Sequence, residues 1–195
     1  TPPCPVGEPY GTIPLWCKGG TRLQDNIIVK PSVEKQFDRF LRQGRVLFFS
    51  APCGFGKTAV AEALLSSREV LRLSADSAGF KLPSAEADWQ ILLLDDLQDM
   101  QEEQDWNALC ELICACPERR FVLLSRGTPP GSLMAFQYTG LMTVLEADDL
   151  LFDADDVRRL LRLYGVEAAD SEIDGILKES VGYPLGVAIT ARCMS

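Results

Sequence analysis

Three apolar runs without a polar interruption set the rhythm of this chain: Val46-Leu47-Phe48-Phe49, Ile91-Leu92-Leu93-Leu94 and Phe121-Val122-Leu123-Leu124. Short unbroken runs of bulky residues read as strands buried on both faces, which suits a parallel sheet. Val70–Ser74 and Leu141–Leu145 read as two further strands, and Ile27-Ile28-Val29 as a short extended run ended by Pro31. Between them the period changes to that of helices. Ser32 is expected to cap a helix reaching about Gln43, with Val33, Phe37, Phe40 and Leu41 on one face and Gly44 at its end. A second helix runs from Ala59 to about Ser67, and a third carries Trp106, Leu109, Leu112, Ile113 and Cys116 on one face until Pro117 stops it. Leu133–Phe136 reads as a short helix. Residues 76–90, with Gly79, Pro83 and scattered charges, read as a loop or one short turn.

The texture changes near residue 150. Asp153–Tyr164 reads as a helix whose Asp153 and Asp156 form a capping box and whose Val157, Leu160, Leu161 and Tyr164 face a core. Ser171–Ser180 follows, and Pro184 starts a last helix with Leu185, Ala188 and Ile189 expected inside. Residues 1–20 are rich in Pro, Gly and Cys and read as an extended arm. The expected organisation is therefore an arm over 1–20, an α/β domain over 21–149 and a helical subdomain over 150–195.

Composition narrows the class. Of 195 residues 47% are hydrophobic, enough for a full core. No apolar run approaches the ~20 residues that span a bilayer, and no signal peptide opens the chain, so a cytoplasmic protein without membrane contact is expected. The first residue is not Met, which reads as a trimmed or excised segment. With a net charge of −9 and no Lys/Arg cluster, this segment is a poor candidate for contacting nucleic acid itself. The acidic stretches Glu146-Ala147-Asp148-Asp149 and Asp153-Ala154-Asp155-Asp156 read as solvated faces. Seven cysteines and no histidine argue against a structural metal; Cys110, Cys114 and Cys116 lack ligand spacing and read as core or half-buried free thiols.

The candidate chemistry lies in Ala51-Pro52-Cys53-Gly54-Phe55-Gly56-Lys57-Thr58, set between the first buried strand and a helix. That is the context of a phosphate-binding loop, G-x-x-x-x-G-K-[ST], with Ala51 in place of the first glycine. The first turn of a helix has free N–H groups and partial positive charge, and a loop adding further N–H groups makes a nest for an anion. Lys57 is placed to reach the β- and γ-phosphates and Thr58 to put its hydroxyl on Mg²⁺, with Cys53, Gly54, Phe55, Gly56 and Ala59 around the phosphates. The strand Ile91–Leu94 ends in Asp95-Asp96, and chemistry in open α/β sheets sits at such carboxyl ends. Asp95 is the candidate Mg²⁺ holder and Asp96 the candidate polariser of an attacking water; a plain capping pair is the other reading. Ser125-Arg126 ends another strand, either as a γ-phosphate sensor or as a routine loop start.

Taken in order, these residues resemble the nucleotide-binding domain of the STAND class of signal-transduction ATPases, in particular the large ATP-binding LuxR-type (maltose-activator-like) transcriptional regulators. The likeness rests on Ala51-Pro52, Leu94-Asp95-Asp96, Leu124-Ser125-Arg126, Leu151-Phe152-Asp153 and Gly182-Tyr183-Pro184, and runs from about Arg22 onward. It implies a P-loop NTPase fold with a five-stranded, mostly parallel sheet of the ASCE type followed by a small helical subdomain. It also implies that Ile28, Val29 and Lys30 line the adenine side, that Ser125 and Arg126 form a sensor pair, and that Gly182, Tyr183 and Pro184 touch the base as a GxP element. Relatives carry a helix between the second strand and the Asp95 strand that this sequence lacks.

What the resemblance implies for function is an ATP/ADP-binding switch with Mg²⁺ as cofactor and slow hydrolysis at most, gating self-association. Lys57, Asp95, Asp96 and Arg126 would carry any hydrolysis. An inducer, small molecule or protein, and DNA would be engaged by the full-length protein, the latter through a C-terminal domain outside this segment. A small-molecule P-loop kinase is the alternative, and would need an Arg-rich lid; Arg119-Arg120 and Arg158-Arg159 are the arginine pairs available, and neither flanks a Gly-rich lid. A nucleotide-free scaffold with a relict loop is a third reading.

Overall fold

The computed structural model describes residues 27–195. The expected arm over 1–20 and the cysteines within it lie outside the described residues. Helix α1 (Pro31–Gln43) leads into β1 (Val46–Ser50), α2 (Lys57–Leu65), β2 (Leu71–Ser74), β3 (Ile91–Asp95), α3 (Glu103–Ala115), β4 (Arg120–Ser125), α4 (Met134–Tyr138), β5 (Met142–Glu146) and α5 (Ala147–Leu150). Three helices close the chain: α6 (Ala154–Leu163), α7 (Asp170–Ser180) and α8 (Pro184–Met194).

The five strands pair in the order β2-β3-β4-β1-β5, and every pair is parallel. Strand β4 therefore stands between the strand that feeds the glycine-rich loop and the strand that ends in Asp95. The unbroken apolar runs are explained by this position, since alternate side chains feed two cores. Leu47, Phe49, Leu93, Val122 and Leu124 pack with α1, α2 and α5, while Val46, Phe48, Leu92, Leu94, Phe121 and Leu123 pack with α3 and α4. Each Phe or Leu fully buried in these layers contributes about 1.5–3 kcal/mol.

The β2–β3 connection itself contains no helix, as expected from residues 76–90. Aromatic plugs close that face instead. Trp89 is buried edge-on against Phe121, with ring centroids 5.5 Å apart, and the Arg119 guanidinium lies over the Trp89 ring at 4.3 Å. Phe80 and Leu82 pack beside them. The short crossover thus covers the central strands, while β2 at the edge stays partly exposed.

Helices α6–α8 have their own core of Val157, Leu160, Leu161, Ile173, Ile176, Val187 and Ala191, and Ile28 from the chain preceding α1 inserts into it. Among the described residues no helix is long and apolar enough to cross a membrane.

Several expectations need correction. Helix α1 begins at Pro31 with Lys30 as its cap and no side-chain cap bond, not at Ser32; the fixed φ of proline and its missing N–H suit the first helical position. On α8 the inward face is Val187 and Ala191, while Leu185 and Ile189 are 45% and 56% exposed. Packing on α6 and α7 selects that face, and the sequence period fits either choice. The acidic stretches are not simply solvated. Glu146 and Asp149 form a capping box at α5, a helix the sequence pattern did not suggest, and Asp156 is 3% exposed beside Lys30 and Arg159. Of the clustered thiols Cys116 is buried and Cys110 half-buried, but Cys114 is exposed, because its position points off the α3 face that meets the sheet.

Candidate functional site

The glycine-rich loop connects the carboxyl end of β1 to α2. Gly54 and Gly56 take φ of +83° and +79°, the left-handed region that a Cβ opposes, and Gly56 caps α2. Ala51, in the first-glycine position, keeps a negative φ and is buried, so alanine fits without strain. Among the described residues nothing lies within 4 Å of where a Cβ on Gly56 would stand, which leaves an open cradle above the helix start. Lys57 is 9% exposed, and its ammonium donates to the carbonyls of Ala51 at 2.7 Å and Pro52 at 3.0 Å. Burial lowers its pKa, and the carboxylate of Asp95 opposes that shift.

Next to it in the first turn of α2, Thr58 donates its hydroxyl to Asp95 Oδ2 at 2.7 Å. Burial pushes the Asp95 carboxyl pKa up, against the bonds from Thr58 and from the Asp96 N–H. Asp96 itself has a φ of 54°, a strained conformation for a residue with a Cβ. Three side chains hold it there. Gln98 Nε2 donates to Asp96 Oδ1 at 2.8 Å, Ser74 Oγ contacts Asp96 Oδ2 at 3.2 Å, and Arg126 Nη2 lies 3.7 Å from Oδ1. Gln98 also accepts the Arg126 N–H at 3.2 Å, tying the ends of β3 and β4 together.

A cavity of about 450 Å³ opens over these groups, within the usual size of a small-ligand site. Its wall includes the loop from Cys53 to Ala59 with Asp95, Asp96 and Arg126. Apolar side chains of Ile28, Leu150, Phe152, Leu160, Pro184 and Ala188 line it as well, with Lys30 as a further cation. Lys30 donates to the Leu151 carbonyl and stands 3.8 Å from Asp156, so it is fixed rather than free.

Four of the expected residues stand off the cavity wall. Val29 turns toward the sheet core, and its carbonyl accepts from Arg159 at 3.4 Å. Ser125 is 4% exposed, and its hydroxyl accepts the Gly127 N–H at 3.2 Å. Gly182, at φ +73°, gives its carbonyl to the Phe152 N–H at 2.8 Å; a Cβ there would be 2.5 Å from the Phe152 carbonyl oxygen. Tyr183 reaches the phosphate loop, donating its hydroxyl to the Cys53 carbonyl at 3.0 Å. Sequence reasoning missed Ser74, Gln98, Leu150 and Leu160 as site members. Gln98 alone carried a signal, standing two residues beyond the strand-end carboxylates.

Comparison with known proteins bears on the fold. No protein-family model matches the chain, and no curated protein matches it in sequence. Among solved structures it is similar to RuvB, the Holliday junction branch migration motor of Thermotoga maritima, at 16% identity and a TM-score of 0.58 over 85% of this chain and 61% of RuvB. It is similar to the replication initiator DnaA bound to AMPPCP and single-stranded DNA, at 17% identity and a TM-score of 0.59 over 87% of this chain and 63% of that one. A Walker-type ATPase of Pyrococcus abyssi gives 12% and 0.59, over 85% and 67%. The chain thus spans about three fifths of the length of RuvB. The fold is that of a P-loop ATPase: a five-stranded parallel sheet with flanking helices, followed by further helices.

Proposed function

We propose that this chain is the ATP/ADP-binding switch domain of a LuxR-type transcriptional regulator of the STAND class, with slow hydrolysis at most. The α/β domain over 21–149 would hold the phosphates, and the helical subdomain over 150–195 would close over the base. The observation that carries the reading is the convergence on one cavity of the Gly56 cradle, the Lys57 ammonium and the Thr58–Asp95 pair. The AMPPCP in the DnaA structure of the same fold supports a nucleotide there. The apolar part of the lining, with Ile28, Phe152 and Pro184, suits a flat purine.

A Thr hydroxyl and an Asp carboxylate are hard oxygen donors, the set that Mg²⁺ accepts alongside phosphate oxygens and waters. Thr58 and Asp95 would hold the ion, which neutralises phosphate charge when bound. Lys57 would leave its two carbonyl partners for the phosphates. Asp96, set by Ser74, Gln98 and Arg126, would orient a water beyond the γ-phosphate, and Arg126 would read that phosphate directly. The switch is a population shift, which requires ATP and ADP to differ in affinity for two arrangements of the protein. Inducer binding, self-association and DNA binding through a C-terminal domain are parts of the same reading, and with a net charge of −9 this segment itself would not contact DNA.

The kinase alternative finds no support in the arginine positions. Arg120 starts β4, at the sheet end opposite the cavity, and Arg158 is held between Asp155 and Asp170. The test is direct: denature purified protein, run the released solute on ion exchange, and titrate ATP and ADP against wild type and Lys57→Ala. Released adenine nucleotide and a large loss in the variant support the reading; equal affinity for both proteins ends it. For the switch, light scattering of the full-length protein with inducer should give a larger particle with an ATP analogue than with ADP.

A further inference from the structure

The chain just after Gly182 grips the phosphate loop at two consecutive peptides. Tyr183 donates its hydroxyl to the Cys53 carbonyl at 3.0 Å, and the Leu185 N–H donates to the Gly54 carbonyl at 3.2 Å. The Tyr183 ring also stands edge-on to Phe55, with centroids 5.3 Å apart. The approach is close enough that a Cβ on Gly54 would lie 1.8 Å from the Tyr183 hydroxyl oxygen.

In a trans peptide the C=O and the N–H point to opposite sides. Drawing the Cys53 carbonyl toward Tyr183 therefore turns the Gly54 N–H away from the Tyr183 hydroxyl, and drawing the Gly54 carbonyl toward Leu185 turns the Phe55 N–H away from the Leu185 N–H. Gly54 and Phe55 line the cavity, as do Pro184 and Leu185 of the gripping segment, while Tyr183 does not. Among the described residues neither N–H donates to a protein acceptor. Two amides of the cavity-lining loop, without protein partners among the described residues, are thus fixed in orientation by contacts from a segment 130 positions away in sequence.

We infer that Tyr183, with the Leu185 N–H, is a positioning residue for the phosphate loop, holding the Gly54 and Phe55 amides toward a bound diphosphate. This rests on the nucleotide reading above, and it moves Tyr183 from the base end of the ligand to the phosphate end. The helical part of the chain then acts on phosphate affinity through the loop as well as on the base through Pro184.

The test uses Tyr183→Phe, which keeps the ring against Phe55 and removes the hydroxyl. Binding of ADP and of inorganic pyrophosphate, each with Mg²⁺, is measured by calorimetry. The variant should weaken both by the same factor, about 5-fold, the usual worth of one hydrogen bond. The pyrophosphate-induced shifts of the Gly54 and Phe55 amide resonances should shrink while those of Gly56 and Lys57 persist; a general loss of structure would erase all four. Unchanged affinity for both ligands overturns the inference, and so does a loss confined to ADP, which would place Tyr183 at the base. Wild-type protein that binds neither ligand sinks the nucleotide reading itself, and the inference with it.

Discussion

Thr58 and Asp95 are 37 residues apart in sequence and share a hydrogen bond of 2.7 Å at the mouth of the cavity. One opens α2 and the other ends β3, and β1 and β3 are not neighbours in the sheet. Strand β4 sets the gap between them, and the two side chains bridge it.

Asp95→Asn should separate stability from function. The carboxyl pKa is raised by burial above its unfolded value, so between those two values the folded state binds more protons than the unfolded one. Stability therefore falls as pH rises through that window, and the charged form is carried at a cost at neutral pH. The amide removes the charge and its oxygen can still accept from Thr58, but its NH2 then replaces the oxygen that accepts the Asp96 N–H, so the two effects on Tm at pH 7 oppose each other. We expect a flatter dependence of Tm on pH through the acid range and loss of Mg²⁺-dependent nucleotide binding. A variant with the wild-type pH dependence of Tm and intact Mg²⁺ dependence would contradict both halves.

Lys57→Ala removes the ammonium that now rests on the Ala51 and Pro52 carbonyls. A charge-assisted bond to phosphate is worth about 1.5–3 kcal/mol, so ADP affinity should fall on the order of 10- to 100-fold. Burial holds the lysine pKa below its unfolded value, so its charge also costs stability at pH 7, and that cost eases as pH rises toward the unfolded value. The variant should accordingly fold at least as stably as wild type, which thermal unfolding would check.

Gly54→Ala and Gly56→Ala should fail differently. Both demand a Cβ at positive φ, a strain of about 1–2 kcal/mol. Gly54→Ala adds a collision with Tyr183, whereas among the described residues nothing lies within 4 Å of a Cβ on Gly56. Adding Tyr183→Ala should restore part of the stability lost in Gly54→Ala and none of that lost in Gly56→Ala. A double-mutant cycle by denaturant unfolding measures the coupling.

Asp156→Ala should cost about 1–3 kcal/mol. The residue closes the α6 capping box, accepting the Asp153 N–H at 3.3 Å, and is the buried partner of Lys30 and Arg159. Asp156→Asn keeps the cap and should recover part of the loss. Urea midpoints of the three proteins would show it; equal midpoints would refute the pairing.

Much of this molecule is written in its order of residues. Runs such as Val46–Phe49 and Ile91–Leu94 can be satisfied only by a strand buried on both sides, so the parallel sheet follows from them. Gly54, Gly56, Lys57 and Thr58 form a local device whose geometry is complete within one loop and one helical turn, and such devices are legible in sequence. Asp153 and Asp156 close their capping box for the same reason. Tertiary structure alone decided what depends on distant partners. The period of α8 admits Leu185 and Ile189 or Val187 and Ala191 as the buried pair, and docking on α6 and α7 chose the second. Asp156 reads as one acid among several until Lys30, from the far end of the chain, reaches it. Gln98 and Tyr183 gain their places from segments that meet only when the sheet closes and the last helices fold back on the loop. Periodicity records which face is apolar, but the identity of the neighbour across it is a property of the whole fold.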